Sequence, residues 1–155
     1  MFDKVMGVPV HPLVVHGAVV FVPLLCLAFA AYVLLPRWRS RFDWVLVALA
    51  VVAPIMTIVA TASGEDLEHA LPDLGEKIEP HAELGENTRL VTIILGVAAL
   101  ALWYLQRRKD TGATGFTLPS WALPALGVLG ILLAVADLYF VIRTGHSGAK
   151  VVWAT

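Results

Sequence analysis

Four long apolar stretches follow one another along the chain, with short polar connections between them. They run over residues of about 13–35, 44–62, 88–106 and 118–143. A helix needs roughly 20 predominantly apolar residues to cross the hydrocarbon core of a bilayer. The pattern therefore predicts an all-α, integral membrane four-helix bundle, with residues 1–155 forming a single four-span domain.

Within these stretches, small and polar residues recur at intervals of three or four positions, which places them along one face of each helix. The clearest stripe belongs to the third helix and consists of His81, Gly85, Thr88, Thr92 and Gly96. Further stripes comprise Thr57, Thr61 and Gly64 on the second helix and Gly127, Gly130, Ala134, Asp137 and Val141 on the fourth. Small residues let helix backbones approach closely in lipid, so we expect these stripes to face the interior of the bundle.

The composition supports the membrane assignment, and the distribution of charge adds an orientation. Hydrophobic residues make up 59% of the chain and charged residues 15%, and the mean hydropathy is +0.80, which is too apolar for a soluble domain. The first and third connections are basic, with Arg37, Arg39, Arg41, Arg107, Arg108 and Lys109, whereas the middle connection is acidic. Short basic loops stay in the cytoplasm, so we expect both termini outside, in a multi-pass protein of the plasma (inner) membrane. The net charge of −1 argues against nucleic acid as a partner.

The outer connections are expected to be structured. Ser63 can cap a short helix over residues 65–69 that ends before Pro72, and Pro80 can open an extension of the third span. These features predict short helical extensions in the outer connection. Gly145 and Gly148 permit a sharp turn that would fold the intervening His146 back over the bundle.

All five histidines fall on the outer side of this arrangement: His11, His16, His69, His81 and His146. Imidazole is costly in lipid, so such clustering indicates a ligand site, although each ring alone could be a solvated or structural histidine. Asp137 lies below the outer surface, where a lone carboxylate is expensive. Its expected partner is a histidine N–H, Arg89 or a proton of its own, or else it is a buried carboxyl that fixes helix register.

Four segments of the chain carry a resemblance to a known family. The sequence from His11 to His16 is similar to the N-terminal HPxxVH signature of a broad family of uncharacterised bacterial four-span membrane proteins, known as a domain of unknown function. The similarity continues through residues 62–67, 81–82 and 145–148 and covers almost the whole chain. The resemblance implies a four-helix membrane bundle with its histidines near one face, and it implies no particular reaction.

Haem b is the leading candidate ligand, because a four-helix bundle can hold a macrocycle between two axial imidazoles. His16 and His81 are the expected axial pair, with His146 or His69 as substitutes, and His11 completes the set of candidate ligands. Arg89 and Arg143 could meet the haem propionates, and Asp137 could act behind a ligand. The expected role is one-electron transfer near the outer membrane face, with a quinone or a respiratory complex as partner.

Two alternatives stay open. The first is a non-haem zinc, copper or iron site built on His16, His81 and His146, helped by Glu65, Asp66 or Glu83. The second is a non-catalytic accessory subunit of a membrane complex, whose acidic outer surface docks a partner. The sequence contains no HExxH, CxxC, GxSxG or Gly-rich phosphate loop, which favours a binding or electron-transfer protein over a stand-alone enzyme. A homodimer with a shared site is also possible.

Overall fold

A computed structural model describes residues 10–70, 75–112 and 118–153, and these residues form four long helices. Their bounds are Val10–Leu34 for α1, Arg39–Ala70 for α2, Gly75–Asp110 for α3 and Ala122–Trp153 for α4. Each helix is long and apolar enough to cross a membrane, which confirms the prediction of an all-α protein with four spans. A short 3-10 turn, Pro36–Trp38, joins α1 to α2.

The helices are arranged as a ring in chain order, and α4 closes the ring against α1. Helices α1 and α3 lie opposite each other with few contacts, and the described parts of α2 and α4 do not touch. The outward surfaces carry large apolar side chains such as Leu27, Val97 and Leu132, each more than 60% exposed. An apolar surface of this extent is the one that lipid covers in a membrane protein.

The predicted stripes of small and polar residues do face the interior. Thr57, Thr88 and Thr92 are buried. Gly96 allows the closest approach between α2 and α3, because a Cβ atom there would lie 2.7 Å from the backbone oxygen of Ala50. The stripes therefore serve close helix packing, as small residues do in membrane bundles.

Three local predictions at the histidine end of the bundle are wrong. Pro80 lies inside α3, which begins five residues earlier at Gly75, so it does not open the helix. Helix α2 continues through Ser63, whose Oγ donates to the Ala60 carbonyl oxygen at 2.9 Å, so this serine satisfies its hydroxyl inside the helix and caps no separate segment. Helix α4 likewise continues through Gly145 and Gly148, so His146 stays on the helix and does not fold back over the bundle. Glycine costs only about 1 kcal/mol in a helix, which packing readily offsets. Pro72 lies outside the described residues.

The second helix pair repeats the first, which the sequence did not reveal. A shift of 70 positions takes the buried residues of α1 onto buried residues of α3, pairing Ala18 with Thr88, Val22 with Thr92, Leu25 with Leu95, Cys26 with Gly96, Phe29 with Ala99 and Tyr32 with Leu102. A shift of 84 positions does the same for the core of α2 and α4, pairing Leu46 with Gly130, Ala50 with Ala134, Ala53 with Asp137 and Thr57 with Val141. The bundle is therefore two similar halves, α1–α2 and α3–α4, related about an axis that runs along the helices.

A histidine pair at one end of the bundle

Two histidine rings meet near the first turns of α1 and α3. The ring centres of His11 and His81 lie 6.3 Å apart, and the ring planes are inclined at 82°. Both side chains are half-buried between the helices. Because α1 and α3 are opposite helices in the ring, the contact spans the interior of the bundle.

His11 is held by α2. Its Nδ1 lies 3.0 Å from the Ala60 carbonyl oxygen and 3.1 Å from Ser63 Oγ. Gly64 leaves the space that the ring fills, since a Cβ atom there would lie 3.1 Å from His11 Cε1. The dipeptide Ser63-Gly64 thus forms a seat for the imidazole.

His81 is held by α4 in the same way. Its Nδ1 lies 2.9 Å from Ser147 Oγ. Ser147 Oγ donates to the Thr144 carbonyl oxygen at 2.9 Å, as Ser63 does to Ala60. A Cβ atom on Gly148 would lie 2.9 Å from His81 Cε1. Each half of the bundle therefore seats the histidine of its first helix on a Ser-Gly dipeptide of its second.

These contacts assign the tautomer of the two rings. A carbonyl oxygen only accepts hydrogen bonds, so Nδ1 of His11 carries the hydrogen and its Nε2 keeps the lone pair. Ser147 Oγ gives its hydrogen to the Thr144 carbonyl oxygen and therefore accepts from Nδ1 of His81, which gives the same assignment. Within the described residues, neither Nε2 atom takes part in a hydrogen bond. An Nδ1–H bonded to a carbonyl with a free Nε2 is the state in which histidine binds metals.

The other three histidines lie away from this pair. His16 is exposed, with Nδ1 2.5 Å from the Pro12 carbonyl oxygen of its own helix. It follows His11 by five residues, which turns it roughly 140° around α1. His69 and His146 are exposed on α2 and α4. In the described part of the chain, no group of three or more His, Cys, Asp or Glu side chains is placed to hold a metal ion.

The two candidate propionate partners have neighbours of their own. Arg89 is half-buried, forms an ion pair with Glu86 and donates to Thr61 Oγ1 at 3.4 Å. Arg143 is exposed, and its guanidinium lies 5.8 Å from the ring centre of Tyr139. Of the acidic residues proposed to assist a metal, Glu65 and Glu83 are exposed and Asp66 is partly buried.

A known protein family matches nearly the whole chain. Residues 7–155 match the family described as "Predicted membrane protein (DUF2231)". The chain belongs to the DUF2231 family. No curated protein and no solved structure matches it. This DUF2231 protein is thus a membrane-embedded protein, and the four apolar helices agree with the family description.

Asp137 is the most deeply buried acid among the described residues of this DUF2231 protein. Its side chain is 0% exposed, and it receives one hydrogen bond, from Thr92 Oγ1 to Oδ1 at 2.9 Å. Oδ2 has no hydrogen-bond partner within the described residues. Thr92 takes the place that a histidine N–H or Arg89 was expected to fill. The carboxyl lies ten residues before Ser147 on α4, about 15 Å along the helix from the histidine pair.

Sequence reasoning missed the serine and glycine seats of this DUF2231 protein. Ser63 and Ser147 lie 52 and 66 residues from the histidines that they contact, so no local pattern links them. One signal was available: Ser-Gly occurs on both the second and the fourth helices, and a histidine lies within the first two turns of each preceding helix. That repetition, read as a duplication, would have paired His11 with His81.

Proposed function

We propose that this membrane protein binds haem b between His11 and His81 and serves in one-electron transfer. The observation that carries the proposal is the pair of rings with centres 6.3 Å apart, each fixed through Nδ1 and each with an unused Nε2. Haem b with two axial imidazoles supplies one-electron redox chemistry. The proposed axial pair is thus His11 with His81 in place of His16 with His81.

The separation of the rings supports two imidazoles on one metal ion. A metal–nitrogen bond of about 2.0 Å and roughly 1.1 Å from ring nitrogen to ring centre, taken on both sides, place the ring centres about 6.2 Å apart when both Nε2 atoms face the ion. The observed distance is 6.3 Å. Crossed ring planes, here at 82°, are compatible with this ligation because each ring rotates freely about its metal–nitrogen bond.

The number of available ligands favours haem over a bare metal ion. A zinc site uses three or four protein ligands, whereas a porphyrin supplies four nitrogens and leaves two positions for histidines. The described residues offer the two imidazoles and no group of three metal-binding side chains. This argument favours haem over the alternative built on His16, His81 and His146.

The hydrogen bonds behind the rings suit ligand histidines. Donation from Nδ1 to a backbone carbonyl orients the ring and makes Nε2 a stronger donor to a metal. Ser63 and Ser147 reinforce these bonds from α2 and α4. Arg143 lies on the same end of the bundle, exposed, and is our candidate for a propionate partner, with Arg89 as the second.

The charge pattern supports an orientation for the proposed site. Arg37, Arg107 and Arg108 lie at the end of the bundle away from the histidines, and basic connections are retained in the cytoplasm. We therefore place the histidine pair and both termini on the outer side of a plasma membrane. A cofactor near that face could exchange electrons with a quinone in the bilayer or with a respiratory complex.

The test is an absorption spectrum of the detergent-purified protein, as isolated and after dithionite, with haem and metal analysis of the same sample. Haem binding predicts a Soret band that sharpens on reduction, α and β bands, and close to one haem per chain. One zinc, copper or non-haem iron ion per chain without haem would contradict haem binding and support the non-haem metal site. A protein from haem-replete cells with neither cofactor would contradict the proposal and favour the accessory subunit.

A further inference from the structure

A line of hydroxyl groups and backbone carbonyl oxygens leads from His81 into the interior of the bundle between α3 and α4. Ser147, the partner of His81, donates to the Thr144 carbonyl oxygen. The Oγ1 atoms of Thr144 and Thr88 lie 2.9 Å apart. These bonds carry the polar contact from the histidine to Thr88, about two turns further along α3.

The same line continues to a buried acid. Thr92 Oγ1 donates to the Thr88 carbonyl oxygen at 2.8 Å and to Asp137 Oδ1 at 2.9 Å, so its one hydrogen is shared between two acceptors. Thr88 and Thr92 are 4% and 0% exposed, so the inner part of the line is buried, whereas Thr144 and Ser147 are partly exposed. It ends at Asp137 Oδ2, which is buried and has no hydrogen-bond partner within the described residues.

The other half of the bundle shows that packing does not require this line. The matching positions in the first half of the bundle are all apolar. Ala18 and Val22 of α1 match Thr88 and Thr92, and Ala53 and Ala60 of α2 match Asp137 and Thr144. Each of these apolar residues is buried. Burying a carboxyl group in a membrane bundle is costly, and intramembrane acids are in general functional. Because only the α3–α4 half carries a buried acid at this position, Asp137 indicates a role beyond helix packing.

Without an added positive charge at the histidine pair, the surroundings of Asp137 favour a neutral carboxyl. From α3, Thr92 donates a single hydrogen bond, and from α1 the thiol of Cys26 is near enough to interact electrostatically. The described part of α2 does not contact α4. No ion pair to this acid occurs among the described residues. A carboxylate with one donor in such a place is poorly compensated, whereas a proton on Oδ2 removes the charge.

We propose that Asp137 is a proton-binding site linked to the charge at the His11–His81 pair. The inference rests on the proposed function. When a quinol-class donor delivers one electron to the site, the positive charge there falls by one. Asp137, which is ionised while the site carries the added positive charge, then takes one proton from a hydronium ion: an O–H bond forms on Oδ2 and one O–H bond of the hydronium ion breaks. Reoxidation releases that proton.

The coupling follows from charge and distance. About 15 Å separates the acid from the histidine pair along α4, and charges interact more strongly through a bundle interior than through water. Proton uptake on reduction makes the reduced form more stable at low pH. The midpoint potential therefore falls as pH rises, by up to about 59 mV for each tenfold drop in proton concentration.

The experiment is a redox titration of the cofactor-loaded protein at several pH values, in wild type, Asp137→Asn and Thr92→Val. Asp110→Asn is the control, because Asp110 is an exposed acid at the opposite end of α3. We expect a sloping potential in wild type and in Asp110→Asn, and a flat one in Asp137→Asn. Thr92→Val introduces the residue type of the matching position, Val22, and keeps Asp137 in place. We expect this variant to retain a sloping potential over a shifted pH range.

An infrared titration gives a second readout that needs no cofactor. A neutral Asp137 contributes the carbonyl stretch of a protonated carboxyl group, which Asp137→Asn removes and Asp110→Asn keeps. If a cofactor is bound and its potential changes equally with pH in wild type and Asp137→Asn, this inference is overturned and the proposed function stays intact. Absence of any cofactor would overturn the proposed function and the coupling, while the infrared band would still show whether Asp137 holds a proton. If Asp137→Asn fails to fold, an unshifted slope in Thr92→Val is the contradicting result.

Discussion

The rings of His11 and His81 lie 6.3 Å apart although 70 positions separate them in the chain. They meet because α1 and α3 run in the same direction on opposite sides of the bundle, and each carries its histidine near its first turn. Ser63 and Ser147 fix the rings from the two remaining helices. All four helices thus contribute to one site.

The serine seats can be tested by removing a hydroxyl. Ser147→Ala removes the hydrogen-bond partner of His81 Nδ1, so the ring is less well oriented and its Nε2 binds a metal less strongly. Loss of a hydrogen bond behind a metal-binding histidine weakens affinity by about 10- to 100-fold. Titration of the cofactor-free protein with haem measures this change. Ser120→Ala, at an exposed position before α4, should leave the affinity unchanged, and an equal loss in both variants would speak against the seat.

The glycine seats predict a contrast between two neighbouring positions on α4. A Cβ atom on Gly148 would lie 2.9 Å from His81 Cε1, whereas nothing lies within 4 Å of one on Gly145. Gly148→Ala should displace the ring and destabilise the protein by about 1–3 kcal/mol, the usual effect of overpacking. Gly145→Ala should be neutral or stabilising by up to about 1 kcal/mol, because alanine favours a helix. Thermal unfolding in detergent compares them, and equal midpoints would show that His81 is not packed against this helix.

The orientation of the bundle can be measured with single cysteines. Cys26 is 2% exposed, so we expect a thiol reagent to label it only slowly, and Cys26→Ser abolishes this labelling. In this background, Lys150→Cys marks the histidine end and Lys109→Cys the basic end. A membrane-impermeant thiol reagent added to intact cells should label Lys150→Cys and spare Lys109→Cys. Labelling of Lys109→Cys alone would contradict the proposed orientation and show that the basic end faces outward.

The spans and their inward faces followed from the sequence because both depend on local periodicity. Thr88, Thr92 and Asp137 recur on one face of their helices, and a polar side chain in an apolar helix has few places other than the interior. The same reasoning could not set the ends of the helices. Gly145 and Gly148 suggested a turn, but the second of them is held against His81, a contact that no local pattern reveals.

The choice of ligand histidine shows the same limit. His16 was favoured because it lies deeper in an apolar stretch than His11. Depth does not fix the direction of a side chain, and five residues of helix turn it to a different face. His16 is exposed, whereas His11 bonds to Ala60 of α2. Only the packing of α1 against α2 distinguishes the two.

The most direct test of the histidine pair is the cofactor content of matched alanine variants. His11→Ala is compared with His16→Ala, and His81→Ala with His146→Ala, so that each paired histidine has an exposed control on the same membrane side. All four proteins are purified from haem-replete cells, and haem per chain is measured alongside the thermal midpoint. The account predicts that His11→Ala and His81→Ala lose the haem while both controls keep about one per chain. Full haem content in a folded His11→Ala or His81→Ala protein would contradict it.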